Sequence, residues 1–186
     1  MTTGWIDKLK QYPIDWSFWA GRRTTRRSAW VSDGKMGVLR SACDPKRLKR
    51  IEGAEDTEPW RPANRSGADV RRIIERLPSV RHPAESLGEW ESEEGGWPGV
   101  YIALGDPDLA SFFVGRLRIL HLLCAFDKAF WYEGRNDGTG HLHPLVVERR
   151  GAIVGILMPV NIGGWFAHVP QDVRDAYQRT LRAPAA

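Results

Sequence analysis

Arg22-Arg23-Thr24-Thr25-Arg26-Arg27 sets four guanidinium groups within six residues, between Trp19 and Trp30. Guanidinium binds phosphate bidentately, threonine hydroxyls add phosphate contacts, and indoles stack on unpaired bases. Lys46-Arg47-Leu48-Lys49-Arg50 is a second basic cluster. A solvated basic surface has the same composition, so the clusters gain weight from where they fall. Residues 1–50 carry 12 Lys/Arg and 4 Asp/Glu, whereas the remainder carries 15 and 19. The formal net charge of +4 therefore hides a basic end and a mildly acidic body, a layout suited to a polyanion.

A different chemistry is suggested by the acidic stretches Glu52–Glu58 and Glu85–Glu94, which carry or flank Trp60, Trp90 and Trp97. Nine tryptophans in 186 residues is an unusual share. Those in expected strands (Trp16, Trp19, Trp30, Trp131) are most simply core, whereas Trp60, Trp90, Trp97 and Trp165 stand within two residues of Pro or Gly in expected loops. Large aromatics in loops suit a partner surface. Trp60, Trp90, Trp97, Glu91, Glu93 and Glu94 are the candidates for contact with a basic face of another protein.

Catalytic chemistry has little to stand on. Asp137, His141 and His143 are the one group with a metal-like look, because imidazoles two apart on a strand point the same way. No third ligand has a diagnostic position, and two surface histidines after a Gly-rich turn is the plainer account. No G-x-S-x-G or C-x-x-C motif is present, and Gly95-Gly96-Trp97 and Gly163-Gly164-Trp165 lack the lysine of a phosphate loop. Cys43 and Cys124 lie far apart in the chain, which disfavours a disulfide scaffold or a zinc finger, and Cys124 is expected to be a small core residue. No catalytic residue, metal or cofactor is expected.

The elements that must carry these residues read as a mixture. A short helix over Trp5–Gln11 stops at Pro13. The stretch 16–40 reads as strands, with Asp33-Gly34 as a hairpin turn into Met36–Leu39. Residues 44–98 are polar and proline-punctuated, with one helix built on Val70, Ile73, Ile74 and Leu77 and a loop at Glu89–Gly96. Val100–Leu104 is an expected strand. Asp106-Pro107 then reads as an N-cap and N1 proline opening a helix to about Cys124, striped by Leu109, Phe112, Phe113, Leu117, Leu120 and Leu123. Lys128–Glu133, Pro144–Glu148 and Ala152–Met158 follow as strands, the last two a hairpin across Arg149-Arg150-Gly151, and Gln171–Arg182 reads as a closing helix. Antiparallel hairpins around a packed central helix argue α+β. The expected organisation is one α+β domain from 1–43 and 99–186, with 44–98 inserted as an arm. No apolar run reaches the roughly 20 residues of a membrane span, and the N-terminus lacks the order of a signal peptide, so a cytoplasmic protein is expected.

Three landmarks together resemble one repeat unit of the bacterial sliding clamp, the β subunit of the replicative polymerase. They are Trp30-Val31-Ser32-Asp33-Gly34-Lys35-Met36, the strand and helix of Tyr101–Leu123, and Gly155-Ile156-Leu157-Met158-Pro159-Val160. The resemblance covers about half the chain. It implies an α+β clamp-like unit whose helices face DNA, with Arg116 and Arg118 on the matching helix as phosphate contacts. It also suits a phage- or plasmid-borne factor.

The leading expectation is therefore a non-enzymatic nucleic-acid-associated protein, with DNA favoured over RNA. Its contacts would be Arg22, Arg23, Arg26, Arg27, Lys46, Arg47, Lys49, Arg50, Arg116 and Arg118. The alternative is an anti-CRISPR-like inhibitor or adaptor docking on a host nucleic-acid-processing or defence complex through the acidic, tryptophan-bearing arm. Self-association through tryptophans is compatible with either, and a metal-dependent hydrolase ranks third.

Overall fold

The computed structural model of the chain describes residues 4–11, 29–32, 36–52, 67–84, 86–91, 98–102, 110–132, 143–158 and 160–161, with 171 and 175. It shows an α+β protein built on antiparallel sheets. Helix α1 (Gly4–Lys8) runs into a 3-10 turn at Leu9–Gln11 and buries Ile6 and Leu9. Strands β1 (Trp30–Ser32) and β2 (Met36–Leu39) pair antiparallel, with Ser32 opposite Gly37, as the Asp-Gly signal predicts. Helices α2 (Pro45–Glu52) and α3 (Gly67–Glu75) come next, then β3 (His82–Pro83), β4 (Ser86–Glu91), β5 (Pro98–Ile102) and β6 (Ala110–Phe113). Helix α4 (Val114–Leu123), β7 (Lys128–Trp131), β8 (Leu145–Arg149), β9 (Ala152–Leu157) and β10 (Val160–Asn161) complete the order.

Six strands form one sheet in the order β1-β2-β9-β8-β7-β3, and four form a second in the order β10-β6-β5-β4. Alternation along the strands of the larger sheet divides its side chains between two buried clusters. Val31, Met36, Val38, Leu145, Val147 and Leu157 face one side, where Ile6, Leu9, Leu48 and the α4 residues Leu117, Leu120 and Leu123 cover them. Trp30, Val146, Ile156 and Tyr132 face the other side, where Val70 of α3 joins them, with Ile73, Ile74 and Leu77 packed against the cluster. The sheet is thus sandwiched between α3 on one face and α1, α2 and α4 on the other. Helix α4 also touches β5 and β6 of the second sheet. Held between the two sheets, it buries Arg116, Leu117, Ile119 and Leu120 on several faces at once, the mark of a central helix.

Close approach of both layers is permitted by two glycines on neighbouring strands. A Cβ on Gly37 would lie 2.9 Å from Cγ2 of Val70, and one on Gly155 would lie 2.9 Å from Cγ2 of Val147 and 3.2 Å from both Leu120 methyls. The β8–β9 hairpin closes through Arg150 (φ 53°) and Gly151 (φ 79°), a two-residue turn with both residues left-handed, whose twist matches that of the strands it joins.

Two expectations are corrected. Glu89–Gly96 is not a loop throughout, because Glu89–Glu91 belongs to β4, paired with Pro98–Val100. The helix expected from Pro107 begins instead at Val114. Phe112 and Phe113 lie on β6, opposite Val100 and Gly99, and β10 pairs with β6 as well. Four apolar-rich residues fit a strand as easily as a turn of helix, and ladders to β5 and β10 decide the matter. The stretch expected to be an inserted arm supplies α2, α3, β3 and β4, and Leu48, Val70 and Ala84 from it are buried in the two clusters. Of the expected closing helix, Gln171 and Asp175 are helical and joined by a 2.8 Å side-chain hydrogen bond, and the remainder lies outside the described residues.

Candidate nucleic-acid interface

Helix α2 presents the second basic cluster, and its local sequence explains why it is well fixed. Asp44 caps it, its Oδ1 accepting from the Arg47 backbone N–H at 2.9 Å, and Pro45 occupies the first helical position. Leu48 is buried in the main cluster. At 100° per residue, Lys46 and Arg50 fall opposite Leu48 and Lys49 falls on one flank, and all three are exposed. Arg47, on the flank, donates from Nη1 to the Leu122 carbonyl at 2.7 Å, placing a cation at the C-terminal end of α4.

Lys10 joins this group from the other end of the basic segment. It and Arg47 both act electrostatically on His121 in the last turn of α4, so the three side chains share one neighbourhood. His121 is edge-on to Phe126 at 4.8 Å. Its pKa is lowered, first by burial and then by Lys10, with a smaller contribution from Arg47; a hydrogen bond with the Phe126 backbone and the charge of Asp7 oppose this in part. The imidazole is accordingly biased toward its neutral form beside Lys10 and Arg47, and α2 exposes Lys46, Lys49 and Arg50 as further cations. Lys10 and His121 carry no spacing signal in sequence, and only the packing of the 3-10 turn on α4 brings them here.

The other basic candidates divide. Arg22, Arg23, Arg26 and Arg27 lie outside the described residues. Arg116 and Arg118 are not an exposed pair: Arg116 is buried, and Arg118 is half-buried with its Nε shut away from solvent. They belong to the enclosed helix rather than to a face that a phosphate backbone reaches. Of the partner-surface candidates, Trp90 and Glu91 lie on β4, an edge strand of the second sheet, opposite Gly99 and Pro98. Trp60, Trp97, Glu93 and Glu94 lie outside the described residues, as do Asp137 and His141. His143 is buried, its ring edge-on to Tyr132 at 6.3 Å. Among the described residues no group of three His, Cys, Asp or Glu could hold a metal ion, and no helix is long and apolar enough to cross a membrane.

A second charged cluster, unforeseen in the sequence, sits on the α3 side of the larger sheet. Glu148 of β8 has a side chain only 4% exposed and is ion-paired with Arg81. The Arg81 guanidinium also lies over the Phe130 ring, 4.0 Å from its centroid, and hydrogen-bonds to Tyr132. Burial, aided by the Glu148 charge, raises the Tyr132 pKa against the opposing influence of Arg81. Every charged or polar member is engaged by another, which is the arrangement of a structural network rather than of an open reaction site.

No family model, curated protein or solved structure matches this chain.

Proposed function

We propose that the chain is a non-enzymatic nucleic-acid-associated protein that meets the phosphate backbone with Lys10 and the exposed face of α2. The observation carrying this reading is that Lys10 and Arg47 meet at His121, with Arg47 on a helix that is capped by Asp44, anchored by Leu48 and also exposes Lys46, Lys49 and Arg50. A fixed row of cations binds polyanions without the entropy cost of ordering a flexible tail. The Arg22–Arg27 run extends the same positive segment in sequence and would add to the footprint. The clamp-like resemblance enters in reduced form, as an isolated α+β unit adapted for binding, with α2 rather than the enclosed α4 as the DNA-facing helix.

Fluorescence anisotropy with labelled single- and double-stranded DNA and RNA across a salt series tests this. K46Q/K49Q/R50Q should weaken binding to every sequence about equally. It should also reduce the salt slope by about 2 to 3, roughly one for each phosphate no longer neutralised. R71Q/R72Q on α3, across the sheet from α2, should leave the slope unchanged. Equal effects of the two variants, or none from the first, would refute the assignment.

A second reading rests on β4. Its place at the edge of the second sheet leaves one side of the strand without a partner strand among the described residues, a geometry that accepts an added strand from another protein. Trp90 and Glu91 lie on it, so an inhibitor or adaptor role would run through this edge.

A further inference from the structure

Cys43 and Cys124 are distant in the chain, and the fold makes them neighbours. Cys43 directly precedes the cap of α2, and Cys124 directly follows α4. The Asp44 N–H donates to the Leu123 carbonyl at 2.7 Å, so the peptide group that follows Cys43 is hydrogen-bonded to the peptide group that precedes Cys124. Each cysteine Cα is attached to one of those two groups. Standard peptide dimensions then hold the Cα atoms within about 8 Å, an upper limit that contains the range of about 4.4 to 6.8 Å spanned by disulfides. The Cys43 thiol donates to the Leu39 carbonyl at 3.3 Å and stands within interaction range of the Cys124 thiol. Both are in the thiol form, Cys43 is partly exposed, and Cys124 is buried with its thiol directed at the Val154 carbonyl (3.4 Å) and the Leu120 carbonyl (3.5 Å).

We propose that Cys43 and Cys124 form an oxidation-dependent disulfide that bolts the start of α2 to the end of α4. The accessible partner reacts first. A hydroperoxide oxidises the Cys43 thiolate to a sulfenic acid, the O–O bond breaking and one oxygen leaving as water or alcohol. The Cys124 sulfur then attacks the Cys43 sulfur, the S–O bond breaks, and the hydroxyl leaves as water with the Cys124 proton. Overall two thiols are oxidised and one peroxide is reduced. The neighbouring Cys43 thiol and burial raise the Cys124 pKa, so little thiolate is present and the closing step is slow. The pair therefore responds to sustained oxidant rather than acting as a fast peroxidase.

This inference is independent of nucleic-acid binding, although the cross-link would sit one residue from the cap of the basic helix. It closes a loop of about 80 residues, which constrains the unfolded chain strongly. The test uses the full chain at dilute concentration, treated with hydrogen peroxide or kept reduced, then alkylated and mapped under non-reducing conditions. Oxidised protein should yield one intramolecular pair of peptides joining Cys43 to Cys124, lighter by two hydrogens, with no thiol left to alkylate. Its Tm should exceed that of reduced protein by on the order of 10 °C. C43S should show neither the cross-link nor the redox-dependent shift, and the wild-type map stands alone if that variant folds poorly. The proposal is overturned if both thiols still alkylate after oxidation. It is equally overturned if only intermolecular dimers form, or if Cys43 advances to sulfinic acid while Cys124 stays reduced.

Discussion

Replacing Arg81 by methionine removes the partner of a buried carboxylate while keeping an unbranched apolar stem over Phe130. The Glu148 side chain is 4% exposed and that of Arg81 is 40% exposed, so one end of the pair is dry and the other partly wet. Breaking a fully buried ion pair costs about 3 to 5 kcal/mol, and exposure of Arg81 brings this down to about 2 to 3 because water screens the guanidinium. The stacked cation on Phe130 adds about 0.5 to 1 kcal/mol. The expected loss is therefore about 3 kcal/mol, a Tm drop of roughly 6 to 12 °C for a chain of this length. Urea denaturation followed by circular dichroism at neutral pH measures it. R81M/E148L, which removes both charges, should recover much of the loss, because no unpaired buried charge remains. A cost below about 1 kcal/mol for R81M, at unchanged m-value, would show that Glu148 reaches water and that the cluster is not the closed network described.

G155A places a methyl 2.9 Å from Val147 and 3.2 Å from both Leu120 methyls, so thermal unfolding should show a loss of about 1 to 3 kcal/mol; pairing it with L120A should relieve the crowding. L48A should cost about 2 to 3 kcal/mol in urea unfolding and should weaken DNA binding beyond what its unaltered charge explains, since α2 loses its anchor. The lowered His121 pKa means that the folded chain binds fewer protons than the unfolded chain. Its contribution to stability is thus complete above the ordinary value of 6.5 and declines as the pH falls below it. H121F should flatten the Tm profile between about pH 7.5 and 5, and an unchanged profile would exclude His121 as the cause.

Local chemistry made some of this protein legible and long-range contact concealed the rest. The β1–β2 and β8–β9 hairpins are readable because their turns carry their own signal in Asp33-Gly34 and Arg150-Gly151. The same Asp-Pro dipeptide occurs twice and means a helix start at Asp44-Pro45, where the prolines that follow disguise it. At Asp106-Pro107 it invites a helix that the β6 ladder replaces over Ala110–Phe113. Of the basic surface, the α2 cluster is visible as a run, but its union with Lys10 depends on packing against α4. Arg116 and Arg118 look like surface cations only while α4 is taken to have a wet face. The nearness of Cys43 to Cys124 and of Arg81 to Glu148 has no trace in spacing, because each pair is joined across separate elements.

The glycine on each of the two neighbouring strands has a consequence for how this chain can vary through descent. Gly37 leaves room for Val70, and Gly155 leaves room for Leu120 and Val147, so each glycine and its facing side chain jointly fill one volume. A larger residue at 155 is admissible only alongside a smaller one at 120 or 147, and a larger one at 37 only with a smaller one at 70. Relatives that have lost all recognisable motifs should still show these reciprocal exchanges between helix and sheet, one for each face. Because the two glycines serve opposite layers, the exchanges should occur independently of each other, and the coupling itself would mark common ancestry where residue identity no longer does.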